Sequence, residues 1–172
     1  MLASVIVIPV SEKELRESFV NCSKGEAQRL NPPPKLASLP WPDLDFLGWR
    51  DPGAPDRGYL VTEYRGELVG LSMRAPTGVR RSLIKTTVCS LCVTSHPGSG
   101  VSLFSAARAG AAGRQGNTVG TYICADLACP LYVRGKKVSA LGARFEESLS
   151  LDGQIARMMG NLEAFLDQVF KP

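Results

Sequence analysis

Residues 89–137 read CSLCVTSHPGSGVSLFSAARAGAAGRQGNTVGTYICADLACPLYVRGKK. Four of the chain's five cysteines stand in this stretch as two close pairs. Cys89 and Cys92 bound a C-x2-C run, and Cys124 and Cys129 bound a C-x4-C run. A short C-x2-C turn presents two thiolates at the separation a tetrahedral metal needs, with backbone amides free to donate to the sulfurs. The 31 residues between Cys92 and Cys124 are enough for a loop and a two-stranded hairpin. The wider second pair fits one cysteine at a strand end and the other in the first turn of a following helix. Knuckle, hairpin and helix start together make a treble-clef pattern, which predicts one structural zinc ion bound by four thiolates. Competing readings of the cysteines are a redox pair, which lacks a thioredoxin-like βαβ context and leaves the second pair idle, and bound iron. His96, the one histidine, reads as a surface residue or as one packed beside the ligands, because four cysteines already complete the site.

The rest of the chain is arranged around that stretch. With 172 residues, 44% hydrophobic and 21% charged, it has the composition of an ordinary globular domain, which excludes wholesale disorder. No apolar run reaches the roughly 18 residues of a transmembrane helix. Leu2 to Val10 is broken by Pro9 and has no basic residue before it, so no signal peptide is expected and the protein reads as cytoplasmic. Residues 1–35 are expected to form a strand and helix appendage, and 36–172 an α+β domain with the zinc finger at about 85–137. Residues 1–10 are β-branched enough for a short strand. Ser11 and Glu14 form a capping-box pattern that starts a helix to about residue 21 and on toward residue 30, with Leu15, Phe19 and Cys22 on one face. Cys22 then reads as a small core residue. Pro32, Pro33 and Pro34 end the helix. The stretch 39–55 is too apolar for a free linker and predicts an ordered loop with Trp41, Phe46 and Trp49 packed on the core. Strands are expected over 59–64 and 67–74 about an Arg65-Gly66 turn, then over 80–88, 101–107 and 118–124, with a turn at 75–78 and a Gly-rich basic loop at 109–117. A short helix follows at 126–132. Ile155, Met158, Met159, Leu162, Phe165, Leu166 and Val169 repeat at helical spacing, the core face of an amphipathic C-terminal helix.

Charge is uneven. The formal net charge is +4, yet from Arg74 to Arg144 there are ten Lys or Arg against the single acid Asp126. A block that one-sided predicts a positive face suited to an acidic partner or to phosphate backbones. Enzyme chemistry finds no support: four thiolates leave no open metal position, and no P-loop, nucleophile elbow or deaminase signature is present. General acid–base groups are nearly absent from the basic block. The sequence therefore predicts a non-enzyme with no small-molecule substrate.

The C-x2-C with Thr94 and His96, the GRQGNTVGTYIC run from Gly113 to Cys124 and the DLACPLYVRGK run from Asp126 to Lys136 resemble the treble-clef zinc-finger domain of the elongation factor G-binding proteins, the FusB-type fusidic-acid-resistance family. Trp49-Arg50 and the RESFVN segment at Arg16 to Asn21 are similar as well. The resemblance implies a cytosolic bacterial protein that binds elongation factor G and promotes its release from the ribosome, with Cys89, Cys92, Cys124 and Cys129 as zinc ligands. Resistance proteins of that family carry an N-terminal helical bundle before the zinc-bearing domain. Here about 30 residues precede the proline run, so the likeness is to a short, single-domain, monomeric form. An RNA- or ribosome-binding zinc protein is the alternative; it would want stacking aromatics, and the basic block offers Phe104, Tyr122 and Tyr132. The expected partner surface is Tyr132, Arg134, Lys136 and Lys137 together with Arg108 and Arg114, converging on one face near the metal.

Overall fold

Alternating apolar residues from five strands meet in one antiparallel sheet in the computed structural model, which describes residues 9–76, 85–142 and 147–172. The sheet order is β1 (Leu47–Asp51), β2 (Ala54–Tyr64), β3 (Glu67–Arg74), β6 (Val101–Ala107) and β7 (Thr118–Cys124). Between them in the chain, β4 (Thr86–Val88) and β5 (Ser95–Pro97) form a separate two-stranded ribbon. The β2–β3 hairpin turns at Arg65 and Gly66 with φ of 51° and 82°, the pair of positive values that a tight hairpin turn requires. Strands β6 and β7 occupy the expected ranges. β1 lies in the Trp- and Pro-rich stretch expected to be loop; Trp41, Phe46 and Trp49 are buried there as expected.

The sheet is covered on both faces. On one, Leu60, Leu71, Met73 and Phe104 pack against Met158, Leu162, Leu166 and Val169 of helix α5 (Leu151–Phe170) and against the cysteine-bearing segments. On the other, Leu47, Trp49, Tyr59 and Val61 pack against Leu15, Leu30, Trp41 and Leu44. The fold is thus α+β, an N-terminal helical segment and a C-terminal amphipathic helix on opposite faces of an antiparallel sheet. No described helix is long and apolar enough to cross a membrane.

The N-terminal helix is not continuous. It splits into α1 (Glu12–Glu17) and α2 (Lys24–Arg29), each opened by its own capping box, Ser11 with Glu14 and Ser23 with Glu26. The break has a physical cause. β3 and β6 pair only at Met73–Ala106 and Arg74–Ser105, so most of that side of β3 has no strand partner. Residues 18–21 leave the helix to fill the gap: Val20 N donates to Gly70 O at 3.0 Å and Gly70 N to Ser18 O at 2.9 Å. A Cβ on Gly70 would lie 2.6 Å from Ser18 Oγ, which explains glycine mid-strand. Asn21 then spans the divergence. Its Nδ2 donates to Ser72 O and Ala107 O, at 2.8 and 3.1 Å, and its Oδ1 accepts from Ser72 N at 2.8 Å. Cys22 is half-buried.

The Gly-rich loop contains the short helix α3 (Ala111–Arg114), and the helix expected at 126–132 is α4 (Cys129–Val133). Of the strand expected over 80–88, residues 85–88 are described and Thr86–Val88 is strand. Residues 1–8 of the expected first strand, residues 77–78 of the 75–78 turn, and Arg80, Arg81 and Arg144 of the basic block lie outside the described residues.

Asn21→Ala removes all three bonds across the split and leaves Ser72 N and O and Ala107 O to find other partners. The expected loss is about 1–3 kcal/mol in chemical denaturation, with zinc content unchanged.

Candidate metal centre

The first cysteine pair is held by a tight knuckle. β4 delivers Cys89; Val93 N donates to Cys89 O and Cys89 N to Thr94 O, both at 3.0 Å. Closing that turn places Val93 at φ 61°, a left-handed conformation unusual for a β-branched residue. The amides of Leu91 and Cys92 lie 3.4 and 3.5 Å from Cys89 Sγ, placed to donate to it. Helix α5 fixes the knuckle from below, Asn161 Nδ2 donating to Leu91 O at 3.0 Å.

The second pair is built as the spacing predicts. Cys124 ends β7 and Cys129 opens α4 with Pro130 next to it. Between them Asp126 Oδ1 accepts from Ala128 N and Leu127 stands at φ 58°. This loop sits on the sheet at two glycines. A Cβ on Gly48 would lie 2.5 Å from Leu127 O, and one on Gly58 2.9 Å from Leu127 Cδ1. Arg50 clamps it: Nε donates to Ala125 O at 2.6 Å and the other nitrogens to Pro55 O and Ser102 Oγ, while the guanidinium stacks on Phe104 at 4.7 Å. The role of Arg50 was not legible in the sequence, because its partners lie on three separate segments.

All four sulfurs lie within 4.8 Å of one another and are buried. Cys89 Sγ is 3.7 Å from Cys129 Sγ, and Cys92 Sγ is 3.4 Å from Cys124 Sγ. A tetrahedron with Zn–S of about 2.3 Å has edges of about 3.8 Å, so the donor set fits one zinc ion. Charge supports the fit. The Cys89 thiol is pushed down by hydrogen bonds from Cys124 and Cys129, whereas burial pushes the Cys129 thiol well up. Four thiolates this close repel one another, and a dication among them lets all four ionise. When bound, zinc supplies the cross-link between knuckle and helix start, and four sulfurs fill its tetrahedron.

His96 is not at the surface. It is buried, its Nε2 3.3 Å from Cys124 Sγ, so that it packs beside the cysteine set. Thr94 Oγ1 lies 3.1 Å from Cys92 Sγ in the same role. The imidazole stands edge-on to Tyr132, whose hydroxyl donates to Asp126 Oδ2 at 2.8 Å.

The expected partner residues do not converge. Ala107 pairs with Thr118 and Val101 with Cys124, so the Gly-rich loop closes the β6–β7 hairpin at the end away from the metal. A strand of that length places Arg108 and Arg114 roughly 20 Å from the cysteines. Arg108 binds the end of α5, donating to Gln168 O at 2.7 Å, and Arg114 is exposed at the end of α3. At the zinc end, Tyr132 is buried and Arg134 donates two hydrogen bonds to the Asp45 carboxylate, at 2.6 and 3.0 Å, their side chains only 12% and 2% exposed. Lys136 pairs with Asp43 at 2.6 Å and Lys137 with Asp126 at 2.5 Å. Two of these three acids come from outside the basic block, which a count along the chain does not reveal.

Comparison with known proteins agrees with this geometry. A family model described as the FBP C-terminal treble-clef zinc-finger matches residues 14–169. The structure of the fusidic acid resistance protein FusC is similar in fold, with a TM-score of 0.51 at 17% identity over 93% of this chain. The match spans 58% of the FusC chain. No curated protein matches.

Native mass spectrometry should find one zinc per chain, retained in Cys22→Ala and lost in Cys89→Ser and in Cys129→Ala. Chelation should unfold the region, because small zinc sites carry folding free energy on the order of 10 kcal/mol. Arg134→Ala leaves Asp45 buried without its cation, and urea denaturation should show a loss of about 3–5 kcal/mol.

Proposed function

This chain belongs to the FBP C-terminal treble-clef zinc-finger family, and from that membership we propose that it binds elongation factor G and modulates its release from the ribosome. On this reading it is a cytoplasmic, monomeric binding protein without catalytic activity. The observation that carries the proposal is the closed four-sulfur centre with an exposed apolar fringe. Val88 precedes Cys89, Val93 follows Cys92, and Tyr122 lends its carbonyl to Ser90 N at 2.8 Å; all three side chains are exposed. Lys136 and Lys137 remain about half exposed at the same end of the molecule. An apolar centre with a basic rim has the composition of a protein-binding surface. FusC is a fusidic acid resistance protein, and its fold likeness is consistent with a target in translation. RNA stacking is less well served: Phe104 and Tyr132 are buried, which leaves Tyr122 as the exposed aromatic of the described basic block.

The partner surface on this reading is the zinc end, with Lys136 and Lys137 as its cations and Tyr132 and Arg134 as its supports. Nuclease-treated, zinc-loaded protein should capture purified elongation factor G. Lys136→Glu should weaken that binding at least tenfold, about 1.4 kcal/mol, while Arg114→Glu leaves it unchanged. Capture that disappears with nuclease would assign the surface to RNA instead.

A further inference from the structure

Arg57 of β2 and Arg74 of β3 are direct cross-strand partners. Like charges directly opposite one another on a sheet are destabilising, so this pairing needs a reason. Both arginines line a cavity of about 270 Å³ on the sheet face away from α5, between the β3–β6 divergence and helix α2. Arg74 pairs with Asp56 at 3.1 Å. Among the described residues Arg57, half-buried, makes no direct ion pair; it interacts with the Tyr59 side chain and, electrostatically, with the Glu26 carboxylate. Glu26 is the one carboxylate in the cavity wall, and it is committed to the cap of α2, accepting from Ser23 N at 2.8 Å. The wall also carries the hydroxyls of Ser72, Ser105 and Thr118.

We propose that this cavity binds a phosphate group between Arg57 and Arg74. Two guanidinium forks from adjacent strands supply more donors than a planar carboxylate can accept, and they match a tetrahedral oxyanion. The three hydroxyls add donors from β3, β6 and β7. An anion there turns the opposed arginines from a repulsive pair into a clamp. Burial pushes the Cys22 thiol up to about 11, and burial with the Asp51 bond pushes Tyr59 up to about 12, so neither adds a negative charge to the wall; the Glu26 carboxylate is the one wall anion that an incoming phosphate meets. The cavity is large enough for a small phosphate ester as well as for the free anion. This site is distinct from the metal centre and does not depend on the identity of the protein partner.

The test uses the zinc-loaded full chain titrated with inorganic phosphate at fixed ionic strength, followed by amide NMR and by melting temperature. Saturable shifts at Ser72, Ser105 and Thr118 and a rising melting temperature are expected, with no such response to acetate or chloride. Arg57→Gln should weaken phosphate binding at least tenfold, yet match or exceed the parent's melting temperature in phosphate-free buffer, since it removes the repulsion. Thr118→Val, which removes a wall hydroxyl at nearly constant volume and leaves both arginines in place, should weaken it too. Ribose 5-phosphate binding more tightly than phosphate identifies an ester as the occupant; equal binding identifies the free anion. An equal response to chloride, or an undiminished phosphate response in both variants, overturns the proposal.

Discussion

Four cysteine sulfurs crowded within 4.8 Å in a dry interior make an arrangement that protein alone holds poorly. Ionised, they repel one another without water; protonated, they are weak partners for the amides aimed at them. A dication resolves both problems, and the surrounding architecture presupposes it. The knuckle after β4, the end of β7 and the start of α4 share no continuous hydrogen-bonded sheet, and the sulfurs are where they meet. From there the constraint spreads outward. Asn161 ties the knuckle to α5, Arg50 ties the inter-cysteine loop to the sheet, and Leu127 lodges against Gly48 and Gly58.

The electrostatic arrangement follows a similar logic of long-range closure. Asp43 and Asp45 from the Trp- and Pro-rich stretch reach Lys136 and Arg134, residues more than eighty positions later. The basic block is thus partly neutralised by acids from outside it. Arg134 in particular joins the zinc-bearing segment to the opposite layer of the fold, so its charge belongs to the interior. What projects from that end is a reduced set of cations around an apolar fringe.

The metal centre was legible in the sequence because its information is local. Two short cysteine spacings, a hairpin-length interval and a helix start sit within one segment, and the structure assembles them in that order. The C-terminal helix was legible for the same reason: Met158, Leu162, Phe165, Leu166 and Val169 repeat with one period. The broken N-terminal helix was not. Leu15, Phe19 and Cys22 keep helical spacing through the break, and what overrides them is an unpaired flank of β3 some fifty residues away. The second capping box at Ser23 was available as a signal for the restart. β1 was masked by the prolines and glycine around it, although Leu47, Trp49 and Asp51 alternate. For His96 the motif and the completed cysteine set left two placements open, and its contact with Cys124 arises only when the ribbon folds back.

Asn21 carries a temporal consequence. During synthesis it emerges early, but its acceptor in β3 follows 51 residues later and its acceptor at the end of β6 follows 86 residues later. The zinc ligands, by contrast, are gathered within one compact interval. Loop-closure cost grows with separation, so nearby elements gain their contacts first. The segment bearing Asn21 is therefore made before either strand it joins, and until β6 is complete the open flank of β3 lacks the full cover of Asn21.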